Sequence, residues 1–320
     1  MKKRWLFGAG LAALVAGLGF SSSIAQVQGL KIIAPAAVGG GWDQTARAIK
    51  AVLESTKLVT DVDVVNVPGA GGTVGLGQFV GLKGDENTLM VMGLVMVGAI
   101  QTNNSKANLD MVTPIARLTG EYEVIVVPAS SKIDNLTEFL AAWKANTANF
   151  IVAGGGAGGT DHIAVGLLAQ SSGVDLNRIN YQAFSGGGEV VSAMQANQVS
   201  AGVSGLSEFL PLIESGKLRA IGLTSPKRLP NVNIPTFKEQ GVRLELANWR
   251  GIVAPPRISN ERRRELVNMM NRLSASDLWQ SILKQKSWLD LYQSGSRFDV
   301  FLKLEDEKIT NTLRGIGVIK

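Results

Sequence analysis

The sequence of 320 residues predicts an α/β fold made of two lobes, which the chain joins by crossing between them twice. Short apolar runs alternate with amphipathic stretches from residue 30 to about residue 247, which indicates parallel strands connected by helices. A pair of glycine-rich turns in the first half of the chain is repeated in the second half. A late apolar strand and three helices complete the sequence, which favours a chain that returns to its first lobe.

The first lobe begins with strands and helices in alternation. Apolar runs bounded by turn residues predict its strands at 30–35, 62–67, 88–92 and 121–127. Amphipathic periodicity predicts its helices at 43–55 and 73–82. The apolar run 89–100 is too short to span a bilayer, and we interpret it as a buried strand followed by a turn.

The second lobe repeats this alternation, and a late strand with three helices follows it. The same patterns predict strands at 150–153, 178–181, 201–204, 220–224 and 248–254. They predict helices at 136–144, 161–171, 189–196, 206–215, 260–274, 276–286 and 297–313. The proline- and asparagine-rich segment 226–235 is typical of a surface loop.

These elements predict where each lobe begins and ends. We expect residues 26–123 and 248–320 to form lobe 1, and residues 124–247 to form lobe 2. The crossings near Tyr122 and Trp249 would then act as a hinge. The alternative is two sequential domains followed by a separate helical tail.

Two helix starts carry the same short design. The sequence Gly40-Gly41-Trp42-Asp43 opens the first predicted helix, and Gly158-Gly159-Thr160-Asp161-His162 opens its counterpart in the second half. The glycine-rich turns at 69–72 and 184–188 form a second such pair. Unpaired N–H groups and the helix dipole attract anions at helix N-termini, so four such turns predict a cleft for a small polyanion.

Other chemistries fit the motifs less well. The glycines at 154–159 fit a dinucleotide fingerprint, but the next strand does not end in the acidic residue that binds ribose. A nucleophile elbow at Ser185 would need a histidine later in the chain, and the single histidine, His162, precedes it. With one histidine and no cysteine, we expect no metal site and no cofactor. His162 is therefore interpreted as a residue that caps the backbone or hydrogen bonds to ligand, and Asp43 and Asp161 as partly structural helix-start carboxylates.

The N-terminus predicts export. Basic residues at 2–4, an apolar stretch at 5–20 and the small-x-small site at 23–25 form a cleavable secretory signal peptide of residues 1–25. The net charge is +6. The basic residues are scattered along the sequence apart from the run Arg262, Arg263 and Arg264, so we expect no binding to nucleic acid.

Several of these segments resemble the extracytoplasmic receptors of tripartite tricarboxylate transporters, most closely the citrate-type members. The resemblance lies in residues 39–47, 66–75, 113–117, 158–162, 185–189, 239–241 and 248–251. It implies a periplasmic, two-lobed type II binding protein, acting as a monomer, that holds a carboxylate with few charged side chains. It also implies delivery of the ligand to a large and a small integral membrane subunit.

The resemblance also implies which residues hold the ligand. In lobe 1 they are the turn after Met92 and Gly40, Gly41, Trp42, Asp43, Ala70, Gly71 and Gly72. In lobe 2 they are Gly156, Gly158, Gly159, Thr160, Asp161, His162, Phe184, Ser185, Gly186, Gly187 and Ser204. A secreted enzyme or a sensor built on the same fold is the alternative that remains open, because fold alone does not determine function.

Overall fold

A computed structural model describes residues 29–320, which form ten strands and ten α-helices. The strands are β1 (Leu30–Ala34), β2 (Val62–Asn66), β3 (Thr88–Gly93), β4 (Thr113–Pro128), β5 (Ile151–Gly154), β6 (Asn180–Ala183), β7 (Ala201–Gly205), β8 (Leu218–Leu223), β9 (Ala247–Ala254) and β10 (Leu289–Ser294). The helices are α1 (Gly41–Ser55), α2 (Thr73–Phe79), α3 (Leu94–Thr102), α4 (Leu136–Ala145), α5 (Thr160–Ser172), α6 (Gly187–Gln195), α7 (Leu206–Glu214), α8 (Asn260–Ser274), α9 (Asp277–Gln285) and α10 (Ser296–Gly315). The predicted signal peptide, residues 1–25, lies outside the described residues.

One long strand, β4, belongs to two sheets. Its first part, residues 113–122, pairs with β9, which continues to β3, β1 and β2, and β10 pairs with the same part of β4. Its last part, residues 123–128, pairs with β7 on one side and β8 on the other, and β7 continues to β5 and β6. The β1–β3 strands are parallel to one another, as are β5, β6 and β7. The helix N-termini that follow such parallel strands all lie at one edge of the sheet.

Thr224 connects the two places where the chain passes between the sheets. Its Oγ1 donates to the carbonyl of Leu246 at 2.6 Å and accepts the N–H of Glu123 at 2.9 Å. Two backbone hydrogen bonds, from Thr224 to Glu123 and from Leu246 to Thr224, complete the arrangement. The first passage is the middle of β4, and the second is the segment before β9.

Three sequence predictions about these elements are wrong. The turn expected after Met92 is the helix α3, because the run 89–100 is apolar throughout and its periodicity cannot separate strand from helix. Strand β4 begins at Thr113 rather than at residue 121. Strand β10 is missing from the prediction, since most of its residues are only partly buried and its polar side chains weaken the strand signal.

The C-terminal helices pack mainly against the first sheet. Helix α8 contacts β4 and β10, and α10 contacts α3 and β4. The end of α10 also reaches helix α5 of the second sheet, where Gln170 Nε2 donates to the carbonyl of Gly315 at 3.3 Å. The boundaries expected for the two lobes stay a prediction. Within residues 29–320, no helix has the length and apolar character needed to cross a membrane.

Candidate functional site

A cavity of about 360 Å³ lies where the glycine-rich turns of the two sheets meet. Most of the predicted site residues line it: Gly40, Gly41, Trp42, Ala70, Gly71, Gly72, Gly156, Gly159, Thr160, Asp161, Phe184, Ser185, Gly186 and Ser204. Four predicted residues are not among its lining residues, namely Asp43, Gly158, His162 and Gly187. The turn expected after Met92 contributes only Val95, from the first turn of α3.

Asp43 is buried, and its carboxylate supports the loop before helix α1. It accepts the N–H of Gly39 at 2.9 Å, the Nδ2–H of Asn66 at 2.9 Å and the guanidinium of Arg47 at 3.0 Å. Burial raises the pKa of Asp43, but the hydrogen bonds from Arg47, Gly39 and Asn66 outweigh it and lower the pKa overall. A carboxylate with its acceptors occupied fixes the loop, and it leaves the first-turn N–H groups of Gly41 and Trp42 for a ligand.

The turn at residues 70–72 approaches Trp42 closely. Gly72 has a φ of 89°, and a Cβ there would lie 2.6 Å from the Trp42 ring. Gly71 has a φ of 60°, and a Cβ there would lie 2.5 Å from Ala99 Cβ. Glycine is therefore required at both positions, because an L side chain is strained at this φ and has no space.

His162 supports the second glycine-rich loop and keeps its ring out of the cavity lining. Its Nδ1 accepts the N–H of Gly158 at 3.1 Å, and its ring stacks on Tyr181 with centroids 4.1 Å apart. Burial lowers the pKa of His162 to about 4, so the ring is neutral at physiological pH and keeps an acceptor nitrogen. This contact matches the backbone-capping interpretation of His162.

Asp161, Glu208 and the fully buried Glu123 form a group that we name the acidic corner. Asp161 and Glu208 line the cavity, and each accepts a loop N–H: Gly155 to Asp161 at 2.7 Å, and Gly187 to Glu208 at 2.9 Å. Burial raises the pKa of Asp161 to about 6. Burial and the charge of Asp161 raise the pKa of Glu208 to about 7. Burial and both neighbours raise the pKa of Glu123 well above its usual value.

Arg250 and Glu121 form a buried ion pair beside the cavity. Arg250, on β9, is 1% exposed and contacts the carboxylate of Glu121, on β4, through Nη2. The second Glu121 oxygen accepts the N–H of Ser207 at 2.9 Å, in the first turn of α7. The Arg250 guanidinium also lies 5.1 Å from the Trp288 ring. Burial lowers the pKa of Arg250 to about 9, which leaves it charged at neutral pH.

Glu208, Asn248 and Arg250 line the cavity but are absent from the predicted site. Arg250 could have been predicted as a site residue from the sequence. It is a charged residue inside an apolar strand, and such residues are seldom buried without a partner of opposite charge. The expectation of few charged side chains around the ligand stays a prediction. Arg250, Asp161 and Glu208 all reach the cavity.

The two walls of the cavity touch directly at one side. Thr102 Oγ1, at the end of α3, donates to the carbonyl of Ala157 at 3.1 Å. A Cβ on Gly98 would lie 1.9 Å from the Gly158 carbonyl oxygen. The backbone of α3 therefore meets the second glycine-rich loop with no room for a side chain.

Replacing Glu208 by glutamine is expected to raise the melting temperature of the ligand-free protein at pH 8. The pKa of about 7 exceeds the usual 4.5, so the folded state binds this proton more tightly than the unfolded state. Stability is therefore lost as pH rises from about 4.5 through about 7, and the variant avoids this loss. With Glu208 half-buried, we expect a gain of about 1–2 kcal/mol at pH 8 and much less at pH 5. Thermal melts of both proteins across this range check it, and an equal difference at both pH values would contradict it.

Two solved structures share this architecture. The periplasmic binding protein BugD aligns with a TM-score of 0.81 at 23% identity, covering 92% of this chain and 99% of that one. MatC from Rhodopseudomonas palustris, solved with bound malate, aligns with a TM-score of 0.78 at 26% identity, covering 91% and 99%. The protein therefore has the two-lobed α/β fold of periplasmic binding proteins, which confirms the predicted fold class.

The chain belongs to the tripartite tricarboxylate transporter family receptors, whose profile matches residues 46–309. A UPF0065 protein from the gbd 5′ region of Cupriavidus necator is 29% identical over 265 residues, which is 79% of each chain. The family resemblance is thus confirmed. Its members and structural neighbours are solute-binding receptors, so this protein is a receptor and not an enzyme.

Proposed function

We propose that the protein binds a citrate-like tricarboxylate in the cavity and delivers it to a membrane transporter with a large and a small integral subunit. The observation that carries this proposal is the convergence of the α1 and α5 N-termini on one cavity of about 360 Å³. First-turn N–H groups lack intrahelical acceptors and carry partial positive charge, so they bind carboxylates. Family membership and the malate bound to MatC support a carboxylate ligand.

Binding by lobe closure is part of the same proposal. Lobe 1 would comprise residues 26–123 and 248–320, and lobe 2 residues 124–247, with the hinge near Tyr122 and Trp249. The shared strand β4 and the segment before β9 support this division, since they carry the chain between the sheets. The receptor would act as a monomer in the periplasm after removal of residues 1–25, and the ligand-binding residues would be those of both cavity walls.

Citrate is expected to raise the melting temperature of the mature protein. At a ligand concentration one hundred times the dissociation constant, binding adds about 2.7 kcal/mol to the free energy of unfolding. For a protein of this size that corresponds to a rise of about 5–10 °C. Dicarboxylates are expected to give smaller rises, and sugars or neutral amino acids none. A thermal-shift screen tests this, and the proposal fails if no carboxylate stabilises the protein while a sugar does.

A further inference from the structure

Two loop N–H groups beside the cavity are already occupied by the protein's own carboxyl groups. Asp161 accepts the Gly155 N–H at 2.7 Å, and Glu208 accepts the Gly187 N–H at 2.9 Å. An anionic ligand cannot use these two donors unless it displaces a carboxyl group that is held in place. The side of the cavity formed by the second sheet therefore presents carboxyl oxygens, which accept hydrogen bonds, at the acidic corner. Its glycine-rich turns alone would have presented N–H donors there.

The buried member of the acidic corner, Glu123, lies behind the two carboxyl groups that line the cavity. Glu123 is 0% exposed, and because burial keeps its carboxyl group protonated, it donates to the Asp161 carboxylate and thereby lowers the pKa of Asp161. Asp161, Glu208 and Asn248 surround this carboxyl group, and all three line the cavity. Glu123 does not line the cavity, so the carboxyl oxygens that a ligand can reach at the acidic corner are those of Asp161 and Glu208.

Cations do not neutralise this corner. Arg250 is the one cation among the described residues that line the cavity, and Glu121 already binds it. The nearby Lys286 donates to Gln44 Oε1 at 2.9 Å. A second carboxylate of a ligand placed here would face carboxyl groups with no free cation, and like charges at such distances repel.

We propose that the acidic corner binds a hydrogen-bond donor of the ligand, so that the preferred ligands are carboxylates that carry a hydroxyl or an ammonium group. This inference rests on the proposed function and narrows its ligand class. The ligand carboxylate lies at the first-turn N–H groups of α1, and its hydroxyl or ammonium group donates to Glu208. The raised pKa of Glu208 is consistent with this arrangement, because a donor from the ligand stabilises its charged form.

Matched ligands test the proposal without any mutation. Succinate, malate and aspartate share one four-carbon skeleton and differ by a hydrogen, a hydroxyl or an ammonium group. Citrate and tricarballylate differ by one hydroxyl. In isothermal titration calorimetry at pH 7, malate or aspartate should bind at least about tenfold more tightly than succinate, and citrate more tightly than tricarballylate. A gain with malate alone identifies the donor as a hydroxyl, and a gain with aspartate alone identifies it as an ammonium group.

Glu208→Ala and Glu189→Ala form a matched pair of variants. Both remove a carboxyl group that accepts an N–H of the same glycine-rich loop, since Glu189 accepts the Ser185 N–H at 2.9 Å. Of the two, only Glu208 lines the cavity. Glu208→Ala is expected to reduce the preference for the donor-bearing ligand to about twofold or less, while Glu189→Ala keeps the wild-type preference.

The outcomes separate this proposal from the proposed function. If succinate binds as tightly as both malate and aspartate, the acidic corner does not read a donor and the proposal is wrong, although the receptor function stands. If Glu208→Ala keeps the wild-type preference, the proposal is equally wrong. If no carboxylate binds, the proposed function fails and this inference with it. The wild-type comparison decides the matter even if Glu208→Ala proves too unstable to purify.

Discussion

Arg250→Met is expected to lower the free energy of unfolding by about 3–5 kcal/mol, because it leaves the Glu121 carboxylate buried without its cation. Both side chains are almost completely inaccessible to water, with Arg250 1% and Glu121 0% exposed. Glu121 would keep only the N–H of Ser207 as a strong partner. Equilibrium urea denaturation of the ligand-free protein at pH 7 measures the loss.

Two control variants distinguish the loss of the Arg250–Glu121 ion pair from a general destabilisation of the fold. The double variant Arg250→Met/Glu121→Leu removes both charges and is expected to recover most of the loss, since apolar replacements of similar volume are tolerated. Arg263→Met breaks the ion pair with Asp299, in which both side chains are 33% exposed, and should cost less than about 1 kcal/mol. A loss for Arg250→Met as small as that for Arg263→Met would show that the buried pair contributes little.

Gly98→Ala is expected to weaken citrate binding about hundredfold. The new Cβ would lie 1.9 Å from the Gly158 carbonyl oxygen, so the two walls cannot meet as they do here. A ligand then loses hydrogen bonds to one wall, and two such bonds to a charged group account for about two decades of affinity. Alanine is favoured over glycine in the interior of helix α3 by about 1 kcal/mol, which offsets part of the cost of separating the two walls in the ligand-free protein.

Gly77→Ala on α2 provides the control for Gly98→Ala. A Cβ at Gly77 meets no atom within 4 Å, so its affinity should equal that of the wild type. Small-angle scattering gives a second readout. Saturating citrate should shrink the wild type and the control but leave the radius of gyration of Gly98→Ala nearly unchanged. Wild-type affinity in a folded Gly98→Ala protein would mean that this contact is not part of the bound state.

Elements with local signals are well predicted from the sequence. The helix expected at 260–274 is found as Asn260–Ser274, because Ser259 caps it by accepting the N–H of Arg262. Helix α3 lacks such signals, since its apolar residues are buried on all sides and continue the preceding strand without a break. Its existence depends on packing against α10 and β9, which no local pattern reveals.

The residues of the candidate site show the same difference between local sequence signals and long-range contacts. Glycine-rich turns are local features, and most of the residues predicted from them line the cavity. Asp43 and His162 belong to the same glycine-rich helix starts, yet neither lines the cavity. Each side chain instead accepts an N–H of its own loop, Asp43 from Gly39 and His162 from Gly158. The pairing of Arg250 with Glu121 joins strands far apart in the sequence, so only the strand order of the folded sheet brings the two together.

Thr224 has a consequence for the proposed movement of the two lobes. One hydroxyl binds both passages of the chain between the sheets, through Glu123 on one and Leu246 on the other. The two passages therefore cannot twist independently, and we expect the lobes to move along a single degree of freedom. Under the proposed function, the lifetime of the closed complex, and with it the speed of hand-over to the transporter, would then depend on this one motion.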